Sequence, residues 1–134
     1  MRGAGKSGPA ILVIDDDPGV CDVLMRAFEA DGYAAKGVAT TIECLALLNS
    51  GATFDLIIID VMMPPASPDG FALGRMVRNR NASQKILYIS GLLDAIPHAE
   101  LEGARAPVLA KPVRLAEFIE TVRGVLASAD QRSI

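Results

Sequence analysis

Histidine and cysteine are nearly missing from this sequence, and basic residues are outnumbered by acidic ones. The single histidine, His98, stands beside Pro97 with no titratable partner close to it in sequence, and it reads as a surface residue rather than a phosphate donor. Cys21 and Cys44 are isolated and lack metal-ligand spacing, which excludes a thiolate metal centre and leaves two small apolar fillers rather than a disulfide. Thirteen Lys and Arg against sixteen Asp and Glu give a formal net charge of -3. That balance argues against a nucleic-acid surface and against a polybasic membrane patch. No apolar run is long enough to span a bilayer, and the N-terminal residues lack the apolar segment of a secretion signal. The expectation is a cytoplasmic protein with no direct membrane contact.

What the 134 residues do contain is enough for one domain with a core that needs no staples. Residues 1–9 read as a flexible tail, 10–127 as the folded unit and 128–134 as a polar C-terminal tail. Within the first tail Gly5-Lys6-Ser7 has the form of the end of a phosphate-binding loop, but no strand signature precedes it and no helix follows, so it is set aside. Apolar runs at 10–14, 54–60, 85–89 and 107–110, with a weaker one at 33–38, read as strands buried in a parallel sheet or lying at its edge.

Helical periodicity separates these runs. Residues 18–31 place Val20, Val23, Leu24, Ala27 and Phe28 on one face, with Asp17 as N-cap before Pro18 and Gly32 as the stop. Thr40-x-x-Glu43 is a capping box opening a helix with Ile42, Leu45 and Leu48 inward and Gly51 at its end. Residues 71–80 turn Leu73, Met76 and Val77 inward and leave Arg75, Arg78 and Arg80 on a solvated basic face. The stretch 92–106 is a poor helix, broken by Pro97 and weakened by Gly103. Residues 115–128 repeat apolar positions at Leu115, Phe118, Ile119, Val122, Val125 and Leu126. Five strands alternating with helices imply an α/β fold, a parallel sheet flanked by helices with right-handed crossovers.

Candidate chemistry collects where strands end. Asp60 closes the most apolar run in the chain, where an acid serves packing badly, so it reads either as a reactive group or as an ordinary turn acid. Asp15, Asp16 and Asp17 follow the first strand. Asp17 has a cap to make, while Asp15 and Asp16 are tolerable together mainly around a cation, and all-oxygen ligation suits Mg2+. Ser90 ends the fourth strand and Lys111 the fifth, so one rim of one sheet gathers Asp15, Asp16, Asp60, Ser90 and Lys111. Acids for a metal, a carboxylate nucleophile, a hydroxyl and an ammonium are the groups that phosphoryl transfer requires.

With Ile11 to Asp17, Asp60-x-x-Met63-Pro64, Asp69-Gly70, Ser90 and Lys111-Pro112 in this order, the chain resembles the CheY-like receiver domain of two-component response regulators over residues 11–126. The resemblance implies a doubly wound, flavodoxin-like five-stranded sheet of order 2-1-3-4-5. It implies Asp60 as phosphoacceptor and Mg2+ held by Asp16, Asp60 and the Met62 backbone carbonyl, with Asp15 acting through water. Lys111 and Ser90 would contact the phosphoryl group. It further implies a phosphodonor histidine on a sensor kinase or histidine phosphotransfer protein, and output by contact with a downstream protein target, with no turnover beyond the domain's own phosphorylation and slow dephosphorylation.

Three features depart from the family pattern: two extra residues between Asp60 and Asp69, which should make the loop 65–68 bulge; the Pro97 break; and Val108 where an aromatic switch residue usually stands. Two rival readings remain open from sequence. A haloacid-dehalogenase-like phosphatase shares an Asp nucleophile, Mg2+, a hydroxyl and a lysine, and Asp15-x-Asp17 fits its opening motif, but only Glu117, Glu120 and Asp130 follow Lys111 to supply further metal-binding acids. A phosphorylation-independent interaction module is the other, disfavoured by the intact acids.

Overall fold

The strands form where aliphatic residues are continuous. A computed structural model describes residues 8–62 and 69–128 and contains β1 (Ala10–Ile14), β2 (Ala34–Val38), β3 (Leu56–Asp60), β4 (Ile86–Ser90) and β5 (Val108–Ala110). They pair in parallel in the order β2-β1-β3-β4-β5, the order expected. Every residue of β3 and β4 is buried, because these central strands are covered on both faces. β2 and β5 lie at the edges and are only partly covered. The loop 65–68, the Met63-Pro64 pair and the Gly5-Lys6-Ser7 segment lie outside the described residues.

Helices α1 (Pro18–Ala30), α2 (Thr41–Asn49), α3 (Gly70–Arg80), α4 (His98–Gly103) and α5 (Leu115–Ala127) cover the two faces. Strand alternation divides the core accordingly. Ile11, Val13, Ile58, Leu87 and Ile89 point toward α1 and α5, where Leu24 and Phe28 meet Phe118 and Val122. Leu12, Ile14, Ile57, Ile59, Ile86 and Tyr88 point toward α2 and α3, where they meet Cys44, Phe71, Leu73 and Val77. Burial of Phe28 and Phe118, with ring centroids 5.7 Å apart, ties α1 to α5 across the first face.

The caps follow the sequence. Asp17 accepts hydrogen bonds from the Gly19 and Val20 amides, and Asp69 accepts one from Ala72. In the α2 capping box the Glu43 amide donates to Thr40 Oγ1, while Glu43 Oε1 reaches back to the Ala39 amide, one residue earlier than the usual partner. Gly32 and Gly51 end α1 and α2 with φ of +91° and +94°, a region closed to most side chains.

Some face assignments change. Val23, Met76 and Leu115 are exposed, because Leu24 with Phe28, Leu73 with Val77, and Phe118 with Val122 set the centre of each buried stripe. Ile42 is 79% exposed, since α2 turns Thr41 and Cys44 inward instead. Arg78 is not a solvated residue: its guanidinium donates to the carbonyls of Gln84, Ala104 and Arg105, fastening α3 to the end of α4. His98 does have a titratable partner, Glu102 one helical turn on, with Nε2 2.6 Å from Oε1. The stretch 92–106 splits at Pro97 into a 3-10 turn, Leu93–Ala95, and the six-residue α4, as a helix-interior proline dictates.

Candidate functional site

The parallel register brings the acids together. Ile14 pairs with Ile59, so Asp15 and Asp60 follow side by side at the carboxyl ends of β1 and β3. Both are buried, at 1% and 3% exposure, whereas Asp16 is exposed. Carboxylate oxygens of Asp15, Asp16 and Asp60 lie within 4.8 Å of one another. Asp17 is absent from this group because its carboxylate is committed to the start of α1.

Lys111 enters from the far edge. Its amide donates to the Ser90 carbonyl at 2.8 Å, which seats the lysine at the end of β5, and the Lys111-Pro112 bond is cis. The ammonium donates to Asp60 Oδ2 at 3.1 Å and lies 2.7 Å from Asp15 Oδ2. The second is the shorter contact, so the ammonium partners an Asp15 oxygen that is otherwise buried. Asp15 Oδ1 accepts from the Asp17 amide and Asp60 Oδ1 from the Met62 amide, which fixes both carboxylates.

Ser90 is fully buried at the end of β4, the strand beside β3, and its Oγ accepts from the Leu92 amide. The rim therefore holds every residue expected of it: Asp15, Asp16, Asp60, Ser90 and Lys111, with the Met62 main chain adjoining. Position at strand ends was the signal, and the register realises it.

Gly70 is a positioning residue whose role the sequence does not disclose. Its amide donates to the Val61 carbonyl, and a Cβ there would stand 2.3 Å from the Asp60 carbonyl oxygen. Only glycine lets α3 start against the backbone that carries Asp60. The Asp69-Gly70 pair thus joins a cap to a close approach.

Electrostatics follow from crowding. Burial pushes the Asp60 carboxyl above its ordinary value, the Asp15 carboxylate pushes the same way, and the Lys111 ammonium and Met62 amide oppose them. Burial alone would lower the Lys111 ammonium, but its contacts with Asp15 and Asp60 outweigh it and the value is raised. Three ionised carboxylates and one ammonium leave a formal charge of -2 at the rim. Like charges about 4 Å apart repel by roughly 4 kcal/mol near a protein surface. All-oxygen donors from three clustered carboxylates and an excess of two negative charges fit a hard divalent cation such as Mg2+.

Comparison with known proteins identifies the family and the fold. A family model described as "Response regulator receiver domain" matches residues 11–123. The chain is 30% identical to the transcriptional regulatory protein TcrA of Mycobacterium tuberculosis, over 92% of this chain and 50% of that protein. It is also 30% identical to sensor kinase CckA of Brucella abortus, over 92% of this chain and 13% of the kinase. The chain thus spans about half the length, or less, of these curated relatives. The receiver domain of the Francisella response regulator 1452 superposes with a TM-score of 0.76 at 29% identity, covering 89% of this chain and 97% of that one. A CheY-like receiver domain protein from Methanospirillum hungatei, at 24% identity, shares the fold with a TM-score of 0.77 over 90% of this chain and 94% of its own.

Proposed function

Because the chain belongs to the response regulator receiver family of two-component systems, we propose that Asp60 accepts a phosphoryl group from a phosphohistidine in a Mg2+-dependent phosphorelay. The donor is a sensor histidine kinase or a histidine phosphotransfer protein, and the output is contact with a downstream protein. The observation that carries this reading is a buried carboxylate held 3.1 Å from an ammonium, with two further carboxylates beside it.

In the step itself an Asp60 oxygen bonds to phosphorus as the phosphorus–nitrogen bond of the donor breaks and the imidazole leaves. Asp15, Asp16, Asp60 and the Met62 carbonyl would hold Mg2+, which when bound supplies positive charge between the attacking carboxylate and the phosphoryl oxygens. Lys111 moves its hydrogen bonding from the Asp60 carboxylate to the incoming oxygens, and the Ser90 hydroxyl donates to another. Residues 10–127 constitute the receiver domain in this reading. It acts in the cytoplasm and catalyses only its own phosphorylation and slow dephosphorylation. Among the described residues no helix is long and apolar enough to cross a membrane.

The phosphatase alternative needs Asp17 at the reacting centre, and its carboxylate caps α1 instead. Incubation with acetyl phosphate and Mg2+ should add one phosphoryl group per chain, and EDTA should prevent it. Multiple turnovers of a phosphate ester would contradict the proposal.

A further inference from the structure

Away from the rim, α3 and α4 fail to close on one another. Between them lies a groove of about 910 Å3 with Phe71 and Tyr88 at its base. It exists because the facing positions are small, with Gly74 and Ala72 on α3 and Ala99 and Gly103 on α4, and because α4 buries none of its residues. Its lining is predominantly apolar, yet Arg75, Arg78 and Arg105 line it against one acid, Glu100. On a chain of formal charge -3 this is a local excess of two positive charges. Arg78 is engaged by carbonyls, whereas Arg75 and Arg105 have no ion-pair partner among the described residues.

Tyr88 supplies a second observation. The residue is 2% exposed, and its hydroxyl makes no hydrogen bond among the described residues. The oxygen sits 1.8 Å from where a Cβ on Gly74 would be, so it lies against α3 in the space left by the missing side chain. Tyr88 lines the groove beside Arg75 and Arg78, so a partner seated there comes within reach of its phenol.

We propose that this groove docks an acidic amphipathic helix of a partner protein. The partner's apolar face fills the space over Phe71 and Tyr88, and its carboxylates pair with Arg75 and Arg105 and accept a hydrogen bond from the Tyr88 hydroxyl. The eleven residues of α3 give a wall roughly 16 Å long, the span of about three helical turns. Apolar anchors at i, i+3 and i+7 suit such a groove, and the arginines select the sign of the flanking charges. The site is separate from the carboxylate rim and needs no phosphoryl group.

The test uses a fluorescein-labelled helical peptide of about 14 residues with Leu at i, i+3 and i+7 and Glu at the flanking positions, beside a counterpart carrying Lys for Glu. The acidic peptide should bind the full chain and shift the amide resonances of 71–79 and 99–105. Arg75→Glu should weaken it by about tenfold or more, and added salt should weaken it further. Tyr88→Phe should weaken it roughly threefold while leaving the melting temperature of the free chain within about 3 °C. Equal binding of the lysine peptide, shifts on another face, or no binding at about 1 mM peptide would overturn the proposal. So would a dimer of the chain, by light scattering, that Arg75→Glu converts to monomer.

Discussion

Replacing Lys111 with Met tests whether the ammonium holds the carboxylate rim together. The substitution keeps most of the aliphatic stem and removes the charge, so packing changes little. What remains is Asp15 beside Asp60, both buried, without the cation now 2.7 and 3.1 Å from their oxygens. Removing one partner of a fully buried pair costs about 3–5 kcal/mol. Lys111 retains 22% side-chain exposure and Asp16 faces solvent, so screening reduces this to about 2 kcal/mol. For a domain of this size that lowers the melting temperature by about 8 °C in EDTA. In the proposed reading saturating Mg2+ would bind the same carboxylates and supply the missing positive charge, so the deficit should fall to about half. Differential scanning calorimetry of wild type and Lys111→Met, each with EDTA and with Mg2+, measures both quantities. An equal deficit in the two conditions, or none in EDTA, would refute the reasoning.

Three further outcomes are expected. Gly70→Ala should lose about 2 kcal/mol in urea denaturation, because its Cβ meets backbone atoms of Asp60 and Val61, while Gly124→Ala, with nothing within 4 Å, should be neutral or slightly stabilising. Burial pushes the Cys44 thiol up to about 11, so the unfolded chain loses that proton first; stability should fall with rising pH between about 9 and 11, and Cys44→Ala should flatten that part of the curve. Val108 is half-buried and stiff at χ1, which suits it poorly as a swinging reporter. Hydrogen exchange with and without beryllofluoride should therefore show its largest change outside the phosphorylation site within 91–106; an unchanged 91–106 segment would contradict this.

The legible parts of the fold were those governed by local rules. Continuous aliphatic runs gave β1, β3 and β4 because central parallel strands admit little else, and Asp17, Thr40 and Gly51 marked helix ends through their own chemistry. The rim was legible because strand ends in such a sheet converge, so residues 15, 16, 60, 90 and 111 meet without any pairwise signal. Tertiary geometry was not. In the nine-residue α2 the expected Leu45 and Leu48 do pack against the core, but Ile42 does not, and Thr41 and Cys44 are the most deeply buried positions, which the spacing did not single out. Arg78 looked like any solvated arginine until three distant carbonyls converged on it. Gly70 and Tyr88 depend on approaches between elements that no spacing encodes.

The central claim is that Asp60 is the phosphoacceptor, and intact-mass spectrometry after acetyl phosphate and Mg2+ tests it most directly. Wild type should gain the mass of one phosphoryl group and Asp60→Asn, folded by circular dichroism, should gain none. Equal labelling of the two would place the acceptor elsewhere and contradict the account.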